Sequence, residues 1–356
     1  VLILFQMVSM YFLNQYHKSQ SELWLNGDAT TIILGTTEIT HLLGPYMGYF
    51  PTALEAGTYF WYYLLLSSVL LILFTGRKRT ILVGLFVFGH TMFVLTVRIG
   101  AFPYVSYAGL LLFLQASFWN DIQQMRKYGE RISTVYRSLK QFTEEKASKI
   151  PYYRIENQTF RKVRSTAGTI AVVVIMMSLL IGVGSAFLVT AGVSEESPMT
   201  QEISETAKSV GVFAPAWDIF APNVRTHDRY YIMAAETSQG DKLELYNSNN
   251  LSTDRPYEQL HNQHDTYRER FYMRAIAVDT EGDENLTGSS LQQNFAEYYC
   301  DSWSEQNSGE ITHINFHYVN EQITTETTLN PEDRDRKQIE VFRYGCGSNQ
   351  PKDIAF

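Results

Sequence analysis

Cysteine is almost absent: Cys300 and Cys346 are the only two in 356 residues, and neither sits among other ligands at metal-site spacing. That excludes a zinc ribbon or an iron–sulfur cluster, and no metal is expected. Glycine-rich phosphate loops are missing, as are basic stretches interleaved with aromatics, which sets aside nucleotide and nucleic-acid binding. No positively charged leader precedes the first apolar run, so a cleavable signal peptide does not fit. The chain opens in mid-helix without Met, and further helices are expected upstream of Val1.

Charge is withheld in long blocks. No Asp, Glu, Lys or Arg occurs from Val1 to His17, nor in the segments Gly57 to Thr75, Thr80 to Val97, Ile99 to Asn120 and Ser165 to Val193. About 20 apolar residues cross a bilayer, so each of these segments reads as a membrane helix, the first cut short. Through Gly192 there are 16 Lys+Arg against 9 Asp+Glu, and from Val193 onward 13 against 28, a formal +7 and −15. The expected architecture is a multi-pass α-helical membrane bundle over 1–120, a basic cytoplasmic loop over 121–164, a further membrane helix over 165–193, and a small acidic, extracellular, antiparallel β-rich α+β domain over 194–356.

Orientation follows the positive residues. The turn Gly76 to Arg79 and the loop Asp121 to Arg164, with 11 Lys+Arg and 5 Asp+Glu, belong in the cytoplasm. The Lys18 end of the first helix and the acidic domain then share the outer face of the cell membrane, with the bilayer itself as a partner. Between His17 and Glu55, aromatic residues such as Trp24, Tyr46, Tyr49 and Phe50 predict short interfacial helices. The run QQMRKYGERISTVYRSLKQF predicts a basic amphipathic helix on the inner leaflet. Past Val193, a helix start at Ser194 or Ser197 precedes strand-like runs at Tyr230–Glu236, Lys242–Tyr246, Arg270–Val278, Ile311–Val319 and Gln338–Tyr344, while Gln293–Trp303 reads as a helix. The acidity spread over this domain reads as adaptation to high salt.

Both cysteines lie on the side assigned to an oxidising compartment; a Cys300–Cys346 disulfide and two free thiols both remain open. Asn250-Leu-Ser and Asn285-Leu-Thr fall on that side as sequons, whereas Asn157-Gln-Thr lies in the cytoplasmic loop. His261, His264 and Asp265 lack a third metal ligand at a convincing distance, and Asp279 to Asn285 resembles a calcium loop in composition only, so both read as polar loops. Two ionisable groups stand in apolar surroundings. Lys18 ends the first run, either as a functional amine or as a side chain snorkelling to headgroups. His90, ten residues into its segment, is either a packing residue or a proton-transfer group. Arg98, in the turn that follows, is open to anion binding or to anchoring.

These residues add up to a resemblance. Tyr11-Phe12, His17-Lys18, Trp24 and Gly27-Asp28-Ala29 are similar to a motif of the horizontally transferred transmembrane (HTTM) family, which includes the vitamin K-dependent γ-glutamyl carboxylase. His90 with Ile99-Gly100 and Phe102-Pro103 resembles a second motif, Trp217 to Asn223 a third, and Tyr298-Tyr299-Cys300 with Trp303 a fourth. The resemblance implies a lyase-type membrane enzyme in which Lys18 is the base toward a reduced, vitamin K-like quinone, with His17 and His90 as supporting groups. Arg98, Trp217 and Phe220 are the expected substrate-binding residues, and a protein or peptide on the external face the expected substrate. His17 departs from the family pattern, which has a lysine there, so the identity of the substrate does not carry over, and carboxylation and oxygenation both stay open. A non-catalytic, membrane-anchored lipid- or partner-binding protein is the alternative.

Overall fold

A computed structural model describes residues 2–128, 219–247, 250–278, 288–307 and 309–356, together with Glu202, Glu205 and Leu286. The expected helix over 165–193, all of the basic loop beyond Tyr128, the helix start at Ser194 or Ser197, Trp217, and Asn285 and Thr287 of the second sequon lie outside the described residues. The chain divides into two compact units, one of residues 1–21, 61–90 and 104–222, the other of 22–60, 91–103 and 223–356.

In the first unit, α1 (Leu2–Lys18) runs 17 residues without a charge before its last turn. Helix α5 (Pro51–Leu66) continues through a 3₁₀ turn (Ser67–Val69) into α6 (Leu70–Leu73), and α7 follows over Gly76–Thr96. The Pro51–Leu73 stretch and α7 are long and apolar enough to cross a membrane. At 1.5 Å per residue they reach roughly 30–35 Å. In this unit α6 packs on α1, and rings from α1, α5 and α7 form a compact aromatic core. Tyr11 stacks on Phe86 at 4.6 Å, and Trp61 meets Phe86 edge-on at 6.3 Å. Gly89 makes room for Trp61: a Cβ there would lie 2.5 Å from the indole.

The expected span over Ile99–Asn120 is not one helix. It breaks into α8 (Phe102–Leu111) and α9 (Ala116–Tyr128). The chain tightens into turns at Leu112 and Phe113, and the Gln115 side chain accepts a hydrogen bond from the Gly76 N–H. Ten residues of α8 span roughly 15 Å, half of a bilayer core. An uncharged run fixes hydropathy but not continuity.

In the second unit, short helices α2 (Glu22–Leu25), α3 (Ala29–Gly35) and α4 (Gly44–Met47) occupy the stretch where interfacial helices are expected. Gly27 adopts φ +89°, and a Cβ there would strike Glu55 and Tyr59, so the Gly-Asp-Ala element needs its glycine. The sheet is antiparallel in the order β2-β1-β3-β4, with β1 at His227–Thr237, β2 at Lys242–Glu244, β3 at Ile311–Gln322 and β4 at Arg336–Gly345. Alternation decides the faces: Tyr231, Met233 and Ala235 join Phe316, Tyr318 and Phe342 in the main core, while Tyr230, Ile232 and Val319 pack with Leu260 on the other side.

Two helices cover the main face, α10 (Tyr267–Val278) and α11 (Ser290–Gln306). Residues Arg270–Val278 are therefore helical rather than a strand. Their aromatic and branched residues imitate a strand locally, but Met273, Ile276 and Ala277 are buried at three- and four-residue spacing. Ser289 and Gln292 form a reciprocal capping box at the start of α11, and Gln292 Nε2 donates to Ile276 O at 2.6 Å, which ties α11 to α10. Cys300 in α11 and Cys346 just after β4 form a disulfide, with Cα atoms 5.9 Å apart.

Candidate functional site

Seven residues separate Tyr11 from Lys18, two turns of helix, so both side chains fall on one face of α1 with Asn14 between them. At the upper end of that face, Tyr11 Oη and His90 Nε2 are hydrogen-bonded at 2.9 Å. Aromatic edges enclose the imidazole: Trp61 at 5.3 Å and Tyr107 at 6.2 Å between ring centroids. At the lower end Lys18 is 1% exposed. Its Nζ donates to Ile219 O at 2.8 Å and to Phe220 O at 3.2 Å, and Asn14 Nδ2 donates to the same Ile219 carbonyl at 3.2 Å. Phe220 has φ +55°, a conformation that suits a tight turn whose carbonyls point at one donor. Lys18 is thus buried against the Ile219–Phe220 turn.

The first unit therefore brings together Tyr11 and Lys18 of the first motif, His90 of the second and Phe220 of the third. His17, a residue away from Lys18 and so rotated off its face, sets its half-buried ring edge-on to Tyr16 at 5.8 Å. Arg98 belongs to the second unit, where its backbone N–H donates to Ile39 O at 2.7 Å. Among the described residues no group of His, Cys, Asp and Glu is placed to hold a metal.

The second unit contains a buried charge cluster that the sequence reading passed over. Asp228, fully buried at the start of β1, accepts from the backbone of Thr37 at 2.8 Å, the Thr37 hydroxyl at 2.6 Å and the backbone of Glu38 at 3.1 Å. Arg334 and Arg255 lie beside it at 3.4 and 3.5 Å. Glu321, also fully buried, pairs with Arg255, Arg336 and Arg334. Every oxygen of Asp228 is committed to clamping the turn after α3 onto the sheet, so its chemistry is structural.

Glu38 forms the neighbouring centre with Arg225 and with Arg270 at 3.2 Å. Burial pushes its carboxyl up, but the two guanidinium groups outweigh that and hold it below the usual carboxylate range. Nearby, Tyr246 Oη donates to Glu269 at 2.9 Å and so accepts from His264 Nδ1 at 2.8 Å. Burial pushes the His264 imidazole down even though Glu38 and Glu269 pull it the other way. A neutral His264 with its proton on Nδ1 presents a bare Nε2, which has no partner among the described residues, as is true of the Tyr231 hydroxyl. One signal was available: Glu38 is the sole Asp, Glu, Lys or Arg between Asp28 and Glu55. No family model, curated protein or solved structure matches this chain.

Proposed function

We propose that this chain is a membrane-embedded enzyme of the HTTM type that uses Lys18 as a base in quinol-linked carboxylation or oxygenation, acting on a protein or peptide at the external face. The observation that carries it is the meeting of three separately read motifs on one face of α1: Tyr11 with His90 at one end, and Lys18 with the Ile219–Phe220 turn at the other. Exposed apolar side chains such as Ile72, Leu73, Ile81 and Phe88 on the two long helices support a lipid-facing bundle, because a core helix of a soluble protein buries such residues. The disulfide supports an oxidising location for the β-rich unit.

The aromatic rings around His90 suit a flat apolar ring, and the Lys18 amine, held on the Ile219 and Phe220 carbonyls, would be the group that meets its hydroxyl. A reduced quinone, when bound, supplies an acidic hydroxyl and reducing equivalents. In its amine form Lys18 accepts a proton at Nζ, and the two carbonyls fix where that nitrogen points. Tyr11 and His90, tied by their hydrogen bond, hold the aromatic wall in place. Asn14, on the same carbonyl, keeps the turn still while the charge on Lys18 changes.

Full-length protein in membranes containing quinol tests the reading through quinol consumption by wild type and Lys18→Ala. Loss of a general base removes roughly 10²–10⁴-fold of rate, and that drop is expected with membrane insertion unchanged. The second reading, an anchored lipid- or partner-binding protein, draws on the same two carbonyl bonds, which also describe a lysine that merely ties down a turn. Under it, wild type consumes no quinol and Lys18→Ala changes thermal stability alone.

A further inference from the structure

The chain from Val193 onward carries a formal −15, yet just past the end of α7 the second unit holds Arg98, a positive group that no carboxylate among the described residues pairs with. Residues 37–43 run beside the end of that helix: Leu43 N–H donates to Leu95 O at 3.0 Å, His41 N–H to Thr96 O at 3.0 Å, and Arg98 N–H to Ile39 O. His261 docks on the other side of the same segment, its N–H donating to Thr37 O at 3.1 Å. Three residues from distant parts of the sequence, His41, Arg98 and His261, are thus gathered by one stretch of backbone. Burial, and after it the neighbouring Arg98 and His41, disfavour the charged form of His261.

No carboxylate among the described residues pairs with Arg98, although Glu38, three residues from His41, is engaged by Arg225 and Arg270. His41 Nε2–H donates to Val94 O at 2.9 Å, which fixes the ring, and His261 Nδ1 has no partner among the described residues. Arg98 comes two residues after the last residue of a helix long enough to cross a membrane. The same backbone stretch leads straight into exposed Leu42, Tyr46 and Tyr49, each more than 60% accessible. Aromatic and aliphatic side chains of this kind sit at the headgroup boundary, and a guanidinium fork matches the oxygens of a phosphate.

We infer that Arg98, with His41 and His261 beside it, binds the phosphate of an anionic phospholipid headgroup while Leu42, Tyr46 and Tyr49 enter the apolar edge of the same leaflet. The inference rests on the membrane reading of the long helices. It adds a specificity that reading lacks: a docking point that distinguishes an anionic lipid from a zwitterionic one. A snorkelling arginine, by contrast, meets any headgroup alike.

Full-length protein in detergent, titrated with short-chain phosphatidylglycerol, phosphatidylcholine or inorganic phosphate and followed by native mass spectrometry and thermal shift, tests this. Wild type is expected to hold phosphatidylglycerol at least several-fold more tightly than phosphatidylcholine. Arg98→Gln is expected to lose about tenfold of that affinity, the worth of a charge-assisted hydrogen bond. His261→Gln should weaken it in the same direction, and exposed Arg268→Gln should leave it unchanged. Equal affinity for the two lipids in wild type, or equal losses in Arg98→Gln and Arg268→Gln, overturns the site. Full competition by inorganic phosphate at matched concentration overturns the headgroup as its occupant. An alkaline carbonate wash of native membranes separates the two levels: release of wild type sinks the membrane reading and this inference together, whereas retention with equal lipid affinities sinks this inference alone.

Discussion

Tyr231 shows how much a single group owes to its surroundings. Its ring lies between Phe316, stacked at 5.8 Å, and the imidazole of His264, also at 5.8 Å, while its hydroxyl is buried without a partner among the described residues. A buried hydroxyl with no partner costs stability, so Tyr231→Phe should be neutral or stabilising by up to ~1 kcal/mol in denaturant unfolding. A loss well beyond ~1 kcal/mol would mean that the hydroxyl is engaged. Lys18 and His90 were legible as isolated ionisable groups in apolar runs, and the structure gives both inward-facing partners. Asp228 was not legible. Its partners Thr37 and Glu38 lie about 190 positions away in the sequence, and no local pattern marks a carboxylate that answers so distant a turn.

At the scale of elements, close approach depends on small residues placed where the bulky ones meet. Gly89→Ala would drive a methyl group into Trp61 and force apart helices that hold His90 against Tyr11. Overpacking of this kind costs about 1–3 kcal/mol, and the expected outcome is a lowered melting temperature together with, on the function proposed above, weakened quinol turnover. Unchanged values for both would show that the indole yields freely. Strands β1, β3 and β4 and helix α11 follow from alternation and capping. Helix α10 does not, because Phe271, Tyr272, Ile276 and Val278 favour a strand until the burial of Met273, Ile276 and Ala277 against the sheet decides otherwise. The uncharged run Ile99–Asn120 likewise conceals its break, since the bond from Gly76 to Gln115 is a tertiary fact.

At the scale of the molecule, the β-rich unit is built to work away from acid. Burial holds His264 and His317 neutral to lower pH than usual. Unfolded, each takes up a proton near pH 6.5, so below that point the unfolded chain binds more protons and stability falls as pH falls. Glu38 acts in the same sense at lower pH: its folded-state pKa is depressed, so its contribution is present above the unfolded carboxylate range and lost as pH falls through the folded value. Glu321 and Glu244, both pushed up by burial, oppose this. Urea midpoints at pH 7.5 and 5.5, at constant salt, should show the lower value at 5.5; an equal or higher one contradicts it. The Cys300–Cys346 bond adds roughly 4 kcal/mol by the entropy of closing a loop of its length. It also makes a covalent ring of α11's second half, β3 and β4, with exposed Thr324–Glu326 on its rim. A protease that nicks this rim liberates nothing: the two pieces stay one molecule, paired along the β3–β4 ladder, until a reductant opens the ring.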